Sequence, residues 1–91
     1  MSVLERIEQR ISNMSTMLSR FGIDTGIFTE IGRGRVFVHS MRACQACLNG
    51  TMCTGWLRQT PGQIKHVPEF CPNAERFAQV KVLLDVQGKP H

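Results

Sequence analysis

Ninety-one residues leave room for one hydrophobic core and none for a second domain. Apolar residues make up 42% and charged residues 20%, which excludes disorder along the whole chain. The net charge of +4, from 11 Lys and Arg against 7 Asp and Glu, is too mild to mark a nucleic-acid binder unless the excess is concentrated.

The nearest concentration is Arg33, Arg35 and Arg42, a candidate basic patch whose plainer reading is a solvated face. The amino terminus, MSVLERIEQRIS, has no apolar signal-peptide core, and no stretch approaches the roughly 20 apolar residues of a membrane span. The expected location is the cytoplasm. Thiols stay reduced there, so four cysteines read as ligands or redox groups before they read as disulfides.

The first element is a helix from Ser2 to Phe21. Leu4, Ile7, Ile11, Met14, Leu18 and Phe21 recur at alternating intervals of three and four and share one face. Ser2 with Glu5 fits a capping box, and Gly22 followed by Ile23 fits a left-handed helix end with its apolar contact. This stripe either lies on the domain core or pairs with a partner or a second copy. Asp24 or Thr25 then caps a short helical turn over Ile27, Phe28 and Ile31. The fragment Gly32-Arg33-Gly34-Arg35 lacks a full phosphate-binding fingerprint and reads as a break between helices.

Val36-Phe37-Val38 alone would pass for a strand, but Phe37, Met41, Cys44 and Leu48 keep helical intervals. Asn49-Gly50 ends that helix, and Thr51 caps another through Cys53, Trp56 and Leu57. Thr60-Pro61-Gly62 is a turn, and residues 63–70 form an extended connection. Pro72 opens a last helix that buries Phe77, Val80 and Leu84. The expected class is all-α, with about four short helices in one domain over residues 1–91. Within it, residues 1–22 form the amphipathic helix, 35–84 a cysteine-bearing core and 86–91 a frayed tail.

The cysteines carry the chemistry, with the spacing C-x2-C-x5-C-x17-C. Three residues apart on one helix, Cys44 and Cys47 would project from the same face. Cys53 follows after a turn, and Cys71 arrives just ahead of a helix amino terminus, where the dipole favours a thiolate. The expectation is one closed metal centre formed by Cys44, Cys47, Cys53 and Cys71. A [4Fe-4S] cluster is favoured over structural Zn2+, because Cys71-Pro72 suits a cluster ligand and the third and fourth cysteines do not form a second short pair.

Trp56, Phe70 and Pro72 would shield the centre. His39 and His66 each precede a cysteine by five residues, but four thiolates leave them no vacancy. A thiol-redox reading of Cys44-Gln45-Ala46-Cys47 lacks the usual βαβ setting, and covalent haem is excluded by Leu48 in the histidine position. Inert core cysteines are the plain alternative.

Cys44-x2-Cys47, Cys53-Thr54-Gly55-Trp56-Leu57 and Pro68-Glu69-Phe70-Cys71-Pro72-Asn73-Ala74 together resemble a family of small bacterial four-cysteine proteins classed as a domain of unknown function. The resemblance covers about residues 36–84, with a looser match over the first helix. It implies a compact helical domain with these cysteines as its defining positions, and it brings no activity with it.

No acid/base pair or partnered nucleophile marks an enzyme. The leading expectation is a small metal-binding protein serving structure, electron transfer or sensing. The alternatives are a helical protein-interaction module, homodimeric through the Leu4–Phe21 stripe, with structural cysteines, or a weak nucleic-acid-binding regulator.

Overall fold

The computed structural model describes residues 2–87. It contains five α-helices: α1 (Val3–Arg20), α2 (Thr25–Glu30), α3 (Arg35–Ala46), α4 (Gly50–Gln59) and α5 (Ala74–Gln87). A 3-10 turn, Ile31–Gly34, joins α2 to α3. The described residues contain no strand, so the all-α class stands. Among them, no helix is long and apolar enough to cross a membrane. Of the frayed tail expected over residues 86–91, Val86 and Gln87 belong to α5, and residues 88–91 lie outside the described residues.

Local chemistry sets the helix ends. Ser2 Oγ accepts the Glu5 amide, and Asp24 Oδ1 accepts the Ile27 amide, so each satisfies an otherwise orphaned first-turn donor. Helix α1 closes through Gly22 at φ 85°, where the Ile23 amide reaches back to the Leu18 carbonyl at 2.9 Å and the Ile23 side chain is buried. Between α2 and α3, Gly32, Arg33 and Gly34 all take positive φ. Three left-handed residues in succession cannot continue a right-handed helix, so the break expected there is real.

The core gathers Met14, Met17, Leu18 and Phe21 of α1, with Ile23, Phe28, Leu57, Val67, Phe77, Val80 and Leu84. Phe28 and Phe77 meet edge to face at its centre, with ring centroids 5.4 Å apart and both side chains fully buried. Each contributes about 2–3 kcal/mol by burial, and the ring geometry adds about 1 kcal/mol.

Helix α1 does not lie on the core along the stripe its sequence suggests. Its inward face runs through Arg10, Asn13, Met14, Met17, Leu18 and Phe21. The core therefore takes only the last three members of the stripe. Leu4 (64% exposed), Ile7 (37%) and Ile11 (37%) remain outside it.

Basic side chains tie the helices together at their carboxyl ends. Arg10 of α1 donates from Nη1 to the carbonyls of Cys44 (2.6 Å) and Cys47, closing α3. Arg20 donates in the same way to Leu57 and to Thr60 (3.0 Å), closing α4. Lys81 of α5 donates to Phe21 O at 2.6 Å and sits 4.8 Å above the Phe21 ring, closing α1. In each case a cation meets the negative end of a helix and satisfies carbonyls that the helix itself cannot.

Charge-assisted hydrogen bonds to partly buried carbonyls are worth about 1.5–3 kcal/mol. Arg10→Ala should therefore cost about 2 kcal/mol and lower Tm by about 10 °C. Thermal denaturation followed by circular dichroism checks this, and an unchanged midpoint would show that α3 needs no such closure.

Candidate cysteine site

Helix α3 ends one residue before the second cysteine. Ala46 is its last residue, and Cys47 is the C-cap, with extended backbone at φ −68° and ψ 130°. Cys44 and Cys47 therefore do not project as a pair from one helix face. Cys47 Sγ instead accepts the Asn49 amide at 3.3 Å in the link to α4. Helix α4 begins at Gly50, one residue before the expected Thr51 cap, and Cys53 lies in its first turn. Pro72 also precedes its helix: α5 starts at Ala74, so Pro72 and Asn73 separate Cys71 from the helix proper.

All four cysteines nevertheless line one cavity of about 30 Å³, together with Arg10, Asn13, Phe70 and Pro72. That volume holds about one water-sized body. The thiols surround it without converging on a centre. Among the described residues, no three His, Cys, Asp or Glu side chains are grouped to hold a metal ion.

This corrects the expected metal centre at Cys44, Cys47, Cys53 and Cys71, whether [4Fe-4S] or Zn2+. The physical reason is the end of α3 at Ala46, which turns Cys47 out of the register that a shared ligand face would require. The cysteines are instead free, half-buried thiols, and three of them, Cys44, Cys53 and Cys71, pack against the core.

Asn73 holds this region together. Its side chain is fully buried, and Nδ2 donates to Ser40 O at 3.0 Å and to Cys44 Sγ at 3.3 Å. Its Oδ1 accepts from Arg76. One amide thus joins α3 to the start of α5. Beside it, Asn13 of α1 accepts from Gln9 and donates to Thr54 Oγ1, both at 3.0 Å, which ties α1 to α4. Sequence reading quoted Asn73 only as part of a pattern and missed Arg10 and Asn13. No local signal could have found these roles, because each depends on partners 29 to 41 residues away.

The remaining sequence candidates are scattered. Phe70 and Pro72 line the cavity, whereas Trp56 does not and packs edge to face on Phe70 at 6.5 Å. His39 and His66 are exposed and do not line it. Arg33 stands in the left-handed break, with Arg35 and Arg42 exposed along α3.

Burial is the largest influence on Cys44 and Cys53, pushing both up to about 11. The neighbouring sulfurs add to the rise at both, and the Asn73 contact partly offsets it at Cys44. Cys71 is raised for the same first reason, with a backbone hydrogen bond from Asn73 opposing the shift. A thiol whose folded pKa exceeds its unfolded value stabilises the fold fully below the unfolded value of 9.0. That stability is lost as pH rises from about 9 to about 11, because only the unfolded chain ionises there.

Two expectations follow from this packing. At neutral pH, Cys44 and Cys53 should alkylate about a hundredfold more slowly in the folded than in the urea-unfolded protein, as peptide mapping would show. Equal rates would mean that the thiols are not sequestered. Asn73→Asp, nearly isosteric but lacking the donor, should cost about 2–3 kcal/mol in urea titrations. Wild-type stability would remove Asn73 as the link.

Comparison with known proteins adds a family and no activity. No curated protein and no solved structure matches the chain. One family model does match, over residues 1–83, which takes in α1 and all four cysteines. The chain therefore belongs to the family of unknown function DUF6455.

Proposed function

We propose that this domain is a helical protein-interaction module that pairs with a second copy of itself through the amino-terminal half of α1, its cysteines serving as packing residues. The observation carrying this reading is the rotation of α1 on the core, which leaves Leu4, Ile7 and Ile11 exposed beside Val3 at 71%. These residues continue the heptad interval of Met14, Leu18 and Phe21, so the seam is ordered but only half used.

The occupant that matches such a seam is a helix with the same interval, and α1 itself provides one. Four free thiols accord with a reducing compartment, which makes the cytoplasm the proposed location.

The energetics favour reversible association. Covering the remaining exposed area of Val3, Leu4, Ile7 and Ile11 gains about 1 kcal/mol each, or about 8 kcal/mol for two copies. Association itself costs about 4–15 kcal/mol. A weak, concentration-dependent dimer is expected.

Sedimentation velocity over a concentration series tests it. Wild type should shift toward dimer as concentration rises, while Ile7→Asp and Leu4→Glu remain monomeric and folded by circular dichroism. A wild type monomeric throughout, or variants that associate equally well, would overturn the reading.

A further inference from the structure

A second surface lies between α1 and α4, apart from the apolar seam. It is an open groove of about 580 Å³ lined by Arg6 and Arg10 from α1 and by Thr51, Gly55 and Arg58 from α4. The remaining lining residues are uncharged, so the groove holds three guanidinium groups and no carboxylate. Arg10 is anchored by its two carbonyl bonds and turns Nη2 toward Gly50. Among the described residues, neither Arg6 nor Arg58 makes an ion pair or a side-chain hydrogen bond.

Gly55 is an independent observation. It lies in the interior of α4, where glycine costs about 1 kcal/mol relative to alanine. Packing does not require it, because a Cβ there would meet no atom within 4 Å. What a side chain at this position would fill is the groove.

We infer that the α1–α4 groove binds a small, multiply charged oxyanion through Arg6, Arg10 and Arg58, with Gly55 keeping its floor open. Guanidinium groups present paired donors that match phosphate and carboxylate oxygens. The cavity volume is that of a small-molecule site. Arg10 is the fixed element, held by the end of α3, and Arg6 and Arg58 close on the ligand from the two helices. Phosphate and carboxylate ligands share this chemistry, so both are tested.

The experiment is isothermal titration of the full chain with pyrophosphate and, separately, with citrate in low-salt buffer. At least one should bind saturably and weaken as salt is added. Arg6→Gln and Arg58→Gln should each reduce affinity about tenfold, Gly55→Leu should reduce it at least as much, and Arg35→Gln should leave it unchanged. Arg10 is left intact because it also closes α3. A neutral seam variant, Ile7→Asn, should bind as wild type does, so this site and the proposed dimer stand or fall separately. Absence of saturable binding with both anions would overturn the inference. So would wild-type affinity in Arg58→Gln, or an equal loss in Arg35→Gln.

Discussion

The fold depends on cations placed at helix carboxyl ends. The five helices among the described residues expose many unpaired carbonyls relative to the apolar surface that so small a domain buries. Arg10, Arg20 and Lys81 each cross from one helix to the end of another, so a single side chain satisfies backbone acceptors and fixes how two helices sit together. Helix α1 is central to this scheme: it closes α3 and α4 and is itself closed by α5. Part of the mild positive charge is thus internal structure, while Arg33, Arg35 and Arg42 stay exposed.

Much of the helical plan was legible because its signals are local. Ser2, Asp24, Gly22 and the Gly32–Gly34 break act within a few residues of themselves, and Phe77, Val80 and Leu84 repeat at the interval of a buried face. The rotation of α1 was not legible. Periodicity identifies an apolar stripe, but α1 turns so that Arg10 reaches α3 and Asn13 reaches Thr54. Two polar contacts with distant partners outweigh the partial burial of Ile7 and Ile11.

The cysteine site shows the same limit from the other side. Spacing brought Cys44, Cys47, Cys53 and Cys71 to one cavity, and that proximity is present. The error lay in one helix end. Had α3 continued through Leu48, Cys44 and Cys47 would share a face; ending at Ala46, it hands the Cys47 carbonyl to Arg10 and the sulfur to Asn49. Helix boundaries are the least certain feature of any sequence reading. A metal centre is sensitive to a shift of one residue, whereas a packed cluster of thiols tolerates it.

The offset between the apolar stripe and the buried face of α1 has an evolutionary consequence. Most amphipathic helices use one row of side chains for both folding and association, so a change in partner endangers the fold. Here the rows share only Met14, Leu18 and Phe21, and Leu4, Ile7 and Ile11 lie outside the buried cluster. Natural variation at those three positions is therefore largely free of the constraint that maintains the domain. Descendants of one scaffold could acquire, exchange or lose binding preferences while keeping the same architecture.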